Sequence, residues 1–209
     1  MPKSTFLNLS EEKRQRIIDS SYAPFIEKAY EDVAILDITT RAQIPVGSFY
    51  RYFYDKDDLY LYLFGQVEYK IKKIQEEHQQ EENQQSILFK DTNIDFSIYL
   101  TKQELLFDKT WIKVPSSVMQ KFYFGEYDDS LVEQFRNNFN KLYSDGTLSQ
   151  SADPELALYL FVTSTFNLYM YCRKKNITEI DEIIRLKKAF FSEFFPYGFI
   201  NSNSDNNKK

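Results

Sequence analysis

Few residues in this sequence have catalytic chemistry to offer, and their number decides against most reactions. There is one histidine, His78, within the polar run EEHQQEEN, and one cysteine, Cys172. A Cys/His metal centre needs three or four such ligands, and a thiol nucleophile needs a base beside it. Two single residues far apart in the chain supply neither. No glycine-rich phosphate loop or paired-ligand motif occurs, so an enzyme is not expected and no cofactor is assigned. His78 reads as a solvated surface residue and Cys172 as a small core residue. The acids Glu104, Asp108 and Glu126 are available to pair with a cationic ligand, with a plain surface role as the alternative. The informative segment is residues 30–59. There Pro45, Val46, Gly47 and Ser48 are followed by Tyr50, Arg51, Tyr52 and Lys56. Small side chains on a leading face, with tyrosine, arginine and lysine behind, are what base edges and phosphates need from a helix entering the major groove.

The bulk composition allows that reading. The chain has 209 residues, 43% hydrophobic and 27% charged, with a mean hydropathy of -0.51. This is a globular composition, long enough for a buried core. No apolar run has transmembrane length, and the opening MPKSTFLNLSEEKRQR lacks the apolar core of a signal peptide. A cytoplasmic protein without a membrane partner is therefore expected. One cysteine permits no internal disulfide and fits a reducing compartment. The net charge of -5 argues against a non-specific DNA coat, and residues 1–60 hold 8 Lys+Arg against 10 Asp+Glu. Sequence reading needs only a local basic edge, so affinity would rest on a few placed contacts and a moderate salt slope.

The elements that must position these residues are helical. Only 5 glycines and 6 prolines punctuate the chain, too few for an all-β fold. A first long helix is predicted over about 11–28, capped by Ser10, with a buried stripe of Ile18, Tyr22, Phe25 and Ala29 and an internal Pro24. Two short helices follow, near 35–42 and 45–52, with Ile38, Ala42, Ile44, Phe49 and Phe53 as apolar anchors about a tight turn. The next helix starts after Asp55 and frays into the Gln/Glu-rich stretch 75–85. Further helices are predicted near 86–107, 112–124, 129–143, 154–175 and 179–195. Gly146 suits a left-handed stop, Asp153-Pro154-Glu155 a sharp start, and Thr178 with Asp181 a capping box. The polar tail 200–209 is expected to be disordered.

The block DITTRAQIPVGSFYRYFYDKDDLYLYLF resembles the TetR family signature, with its helix-turn-helix, FYRYF-type recognition helix and Lys-x-x-Leu start of the next helix at these intervals. FIEKAYEDV is similar to that family's exit from the first long helix, and DGTLSQSADPELALYL to the entry of a later one. The strong resemblance covers about residues 10–64. It implies an all-α fold: an N-terminal three-helix helix-turn-helix DNA-binding domain (1–55) and a C-terminal helical ligand-binding and dimerisation domain (56–199). It also implies Thr40, Arg41, Val46, Gly47, Ser48, Tyr50, Arg51, Tyr52 and Lys56 as DNA-facing, with Tyr50 and Lys56 on phosphates and Phe49 and Phe53 in the core. Three departures stand out. Gln43 replaces a glycine in the turn, which costs on the order of 1 kcal/mol if φ is positive. Pro45 and Val46 replace a Ser-Lys pair, leaving Val46 to touch a thymine methyl. Val33 and Ala34 stand where a hydroxyl residue caps the helix.

In the second half, the segment LALYLFVTSTFNLYMYC is apolar on nearly every face, and such a helix must be buried all round. Part of that burial is expected from a second subunit, in a four-helix bundle of the last two helices and their two-fold mates. Phe96, Leu100, Phe107, Trp111, Met119, Phe122, Phe166 and Met170 are candidates to line a cavity for an apolar or aromatic small-molecule effector, with ordinary core as the alternative. The implied function is a homodimeric repressor of double-stranded DNA. It would leave a pseudo-palindromic operator when ligand favours recognition helices spaced wrongly for grooves about 34 Å apart. The competing expectation is a DNA-associated structural or partner-binding protein on the same fold, without small-molecule control.

Overall fold

A computed structural model describes residues 1–78, 94–125, 127, 130–144, 146, 148–149 and 151–199. Every regular element among them is helical: α1 (Ser4–Leu7), α2 (Glu11–Glu27), α3 (Ile35–Arg41), α4 (Val46–Tyr52), α5 (Lys56–His78), α6 (Lys102–Asp108), α7 (Ser116–Tyr123), α8 (Ser130–Ser144), α9 (Pro154–Lys174) and α10 (Ile180–Phe199), with short 3-10 turns between some of them. The helices form two compact units. One is Met1–His78 with Asn93–Val118; the other contains the described part of Met119–Lys209. The tail 200–209, Glu126 and most of the Gln/Glu-rich stretch lie outside the described residues.

In the first unit α2 buries Ile17, Ile18, Tyr22 and Phe25 and carries Pro24 inside its last turn. Ser10 stands at its N-cap, but its hydroxyl makes no capping bond; its carbonyl accepts from the Arg14 N–H at 2.9 Å. Ala29 does not extend the stripe. The backbone becomes extended at Lys28, so Ala29 falls outside the helix and is exposed. α5 starts as predicted after Asp55: Asp55 Oδ1 accepts the Asp58 N–H at 2.7 Å, and Asp58 Oδ2 accepts the Tyr54 N–H at 2.9 Å. The interior is built from rings. Phe107 of α6 lies 5.0 Å from Tyr22, 6.0 Å from Phe25 and 4.8 Å from Tyr60. Trp111 stacks on Phe64 at 3.9 Å, with the planes 8° apart.

Two predicted helices prove shorter. The segment expected as one helix over 86–107 is, in its described part, a 3-10 turn Phe96–Ile98 and then α6. Asp95 caps the turn, and Thr101 opens α6 with a reciprocal capping box: Thr101 Oγ1 accepts the Glu104 N–H at 3.2 Å while Glu104 Oε2 accepts the Thr101 N–H at 2.8 Å. A start signal inside a helical pattern breaks it. Likewise 112–124 divides into a 3-10 turn Trp111–Lys113 and α7, because Pro115 forces extended backbone on Val114.

In the second unit α9 is the central element. Asp153 Oδ1 accepts the N–H groups of Glu155 (2.9 Å) and Leu156 (3.2 Å), with Pro154 opening the helix, as the sequence predicts. The Phe161 ring sits 5.2 Å from Phe135, 5.5 Å from Phe139 and 4.9 Å from Phe191, joining α8, α9 and α10. Gly146 has φ +79°, and its N–H reaches the Tyr143 carbonyl at 3.2 Å just after α8 ends, the expected left-handed stop. α10 begins at Ile180, so Thr178 lies ahead of the helix, and its first turn closes from the Ile183 N–H to the Glu179 carbonyl at 3.1 Å. No described helix is long and apolar enough to cross a membrane.

Candidate nucleic-acid interface

Two short helices joined by a tight turn carry the site. α3 ends at Arg41, and the chain turns through Ala42, Gln43 and Ile44 into α4. The turn holds because the Ala42 N–H reaches the Ile38 carbonyl (2.9 Å) and the Ile44 N–H reaches that of Thr39 (3.0 Å). Gln43 takes φ +53°, so a side-chain-bearing residue occupies the left-handed position. Ile38, Ala42, Phe49 and Phe53 are buried to within 1% exposure and Ile44 to 9%, which fixes α4 against its unit. At the start of α3, the Ala34 methyl offers no acceptor; Asp37 alone reaches back and accepts the Ala34 N–H at 3.0 Å.

Burial on one side of α4 leaves the other outward. Val46 is 42% and Tyr50 51% exposed, and Gly47, Arg51, Thr40 and Arg41 are exposed too, with Ser48 half-buried. Pro45 takes the N-cap position, one residue earlier than predicted, and its carbonyl accepts the Ser48 N–H at 2.8 Å. A Cβ at Gly47 would meet nothing within 4 Å, so nothing inside the chain requires glycine there. Arg41 forms an ion pair with Glu27, both partners well exposed.

Two residues of the expected DNA-facing set are placed differently. Tyr52 is 6% exposed, its ring 5.9 Å from Phe6, so that ring serves packing. The Lys56 ammonium donates to the carbonyls of Tyr30 (2.6 Å), Val33 (3.0 Å) and Glu31 (3.4 Å), and lies 4.6 Å from the centre of the Tyr30 ring. Beside it the Tyr30 hydroxyl donates to Asp57 at 2.5 Å; burial, and then this bond, hold that phenol protonated far above the ordinary tyrosine range. Lys56 and Asp57 thus grip the loop that leads into α3.

The candidate ligand residues divide between the units. Phe96 (half-buried), Leu100, Phe107 and Trp111 (buried) lie in the first; Met119, Phe122 and Phe166 (buried) and Met170 (half-buried) lie in the second. Phe166 contacts Tyr123 and Phe124, with ring centres 6.4 and 5.6 Å away. A shallow recess lined by Glu12, Gln15, Arg16, Asp19, Ser20 and Gln103 shares no residue with this set. Of the candidate acids, Glu104 is buried and bonded to Lys70 and Thr101, which hold its carboxyl below the usual range against the opposing effect of burial. Burial pushes the Asp108 carboxyl up to about 7, helped by the nearby charge of Glu68. Cys172 is buried, which raises its thiol.

Residues 17–63 match the model of the tetR family of bacterial regulatory proteins, a span that runs from within α2 into α5. The uncharacterized HTH-type transcriptional regulator YwcC of Bacillus subtilis (strain 168) is 35% identical over 74 residues, 35% of this chain and 33% of that protein. The chain therefore aligns with about a third of the length of this curated relative. The fatty acid degradation regulator FadR of Bacillus halodurans has a similar structure, with TM-score 0.58 at 17% identity, covering 88% of this chain and 95% of that one. FadR of Bacillus subtilis, solved in complex with stearoyl-CoA, gives 0.54 at 16%, covering 85% and 95%. At that identity the two structures speak for the fold alone, whereas the sequence match falls on the turn-linked helices themselves. Over residues 17–63 the chain is therefore similar to the tetR family of bacterial regulatory proteins.

Proposed function

We propose that this protein is a cytoplasmic, homodimeric DNA-binding repressor that leaves a pseudo-palindromic operator when it binds a small apolar or aromatic effector, and that it catalyses no reaction. The observation that carries the reading is the outward face of α4: Val46, Gly47 and Tyr50 stand exposed on a helix whose opposite face is anchored by Phe49 and Phe53. Val46 and Ser48 read base edges, the open approach at Gly47 admits the DNA backbone, and Thr40, Arg41, Tyr50 and Arg51 meet phosphates. Tyr52 and Lys56 stand behind that surface and hold it in place. The functional division falls at residue 55, with 1–55 binding DNA and 56–199 binding effector and partner subunit.

Support for dimerisation comes from α9, where Leu156, Tyr159, Leu160 and Tyr171 are exposed although the helix is central to its unit. Support for an apolar effector comes from the aromatic richness of the candidate lining and from the stearoyl-CoA held by the B. subtilis FadR structure. α5 starts beside the loop into α3 and is the element to transmit effector binding. The second reading, a DNA-associated protein without small-molecule control, is favoured by the ring-on-ring filling around Phe107 and Trp111.

The test is selection of bound duplexes from fragmented host genome by the full-length protein at low and moderate salt. Enrichment of one pseudo-palindrome is expected. Uniform recovery that vanishes with salt would remove specific recognition and with it the repressor reading.

A further inference from the structure

We propose that Lys3, Thr5 and Phe6 are positioning residues for the recognition helix: they close the C-terminal end of α4 and so set how it presents Val46, Gly47 and Tyr50. The proposal rests on the DNA-binding reading above. The recognition helix α4 has seven residues. Isolated helices shorter than about 12 residues are marginal in water, and the last four carbonyls of any helix lack partners within it.

Each of those four carbonyls is satisfied here, three of them by the N-terminal segment. The Phe49 carbonyl accepts the Phe53 N–H at 2.8 Å. The Tyr50 carbonyl accepts the Lys3 ammonium at 2.8 Å. The Arg51 carbonyl accepts the Thr5 hydroxyl. The Tyr52 carbonyl accepts the Lys3 backbone N–H at 2.8 Å. The ammonium also places positive charge at the negative end of the helix and lies 4.3 Å from the centre of the Tyr54 ring. Lys3 thus has its charge committed within the protein. Phe6 is fully buried, its ring 4.7 Å from Phe53, 5.9 Å from Tyr52 and 5.5 Å from Tyr62, so an apolar knob and three donors converge on one helix end. These residues precede the matched span of 17–63.

The experiment is amide hydrogen exchange on the full chain without DNA, comparing Lys3→Met and Thr5→Val with the parent, followed by binding of the selected duplex and of an unrelated one across salt concentrations. Each variant removes one side-chain hydrogen bond at the helix end and keeps the backbone bond from Lys3 to Tyr52. Exchange at residues 50–53 is expected to accelerate roughly five- to tenfold, while α9 is unchanged. Affinity for the selected duplex is expected to fall by a similar factor, with the unrelated duplex and the salt slope unaffected. Lys3→Arg and Thr5→Ser, which keep the donors, are expected to restore both. Unchanged exchange at 50–53 would overturn the closure. Accelerated exchange with undiminished selected-duplex affinity would overturn its role in recognition. Equal loss on both duplexes with a salt slope lower by about one would make Lys3 a phosphate contact instead. If no duplex is selected, the DNA-binding reading fails by itself, and the exchange result still decides the closure.

Discussion

At the scale of single residues, Tyr50 and Lys56 carry opposite expectations although sequence alone gives both the same phosphate role. Tyr50 is half exposed on the outward face of α4. Tyr50→Ala is expected to weaken binding to every duplex alike and to leave the melting temperature where it was. Equilibrium binding on matched and unmatched duplexes, with a thermal scan, checks this. Lys56 is bonded to three carbonyls of the loop into α3. Lys56→Met is expected to lower the melting temperature, since hydrogen bonds from a charged donor contribute about 1.5–3 kcal/mol. The salt slope of DNA binding should stay constant; a fall of about 0.9 would return Lys56 to a phosphate. Local signals such as Asp153-Pro154-Glu155, Gly146 and the glycine-demanding turn at Gln43 are legible because one residue type answers one backbone need. The carbonyls taken by Lys3, Thr5 and Lys56 are not, because a donor reaching across the chain leaves no periodic trace.

At the scale of elements, the long helices α2, α5, α8, α9 and α10 follow from apolar periodicity, whereas residues 94–124 break into shorter pieces than that periodicity suggests. The signals were present in Thr101-x-x-Glu104 and in Pro115, and both interrupt a stripe that otherwise continues. The end of α6 also carries a pH dependence. Folding raises the Asp108 carboxyl from 3.8 to about 7, chiefly through burial and then through Glu68. The folded state therefore binds the proton more tightly than the unfolded one. This group's contribution is complete below about pH 4 and is lost as pH rises towards about 7. Asp108→Asn is expected to melt above the parent at about pH 8 and close to it near pH 4, checked by thermal scans across that range. A parent-to-variant difference independent of pH would assign the proton elsewhere.

For the whole molecule, the sequence called for α9 to be buried on all sides, and within one chain it is not. Ala157, Leu158, Phe161 and Val162 face their own unit while Leu156, Tyr159, Leu160 and Tyr171 remain exposed. The proposed partner subunit would cover that face, and apolarity is the one trace of it in a single chain's sequence. Leu160→Glu is expected to shift the protein from dimer to monomer in sedimentation, with its helical content intact; an unchanged dimer would place the interface on another surface. The stack of Trp111 on Phe64 has a use of its own. Trp111 is the single tryptophan of the sequence, and it lies face to face with a ring of α5, the helix proposed to relay effector binding. The molecule therefore carries its own optical reporter. Any effector that shifts α5 against the Trp111 turn must change the intensity or colour of tryptophan emission, so candidate small molecules can be screened on unlabelled protein before a single operator is known.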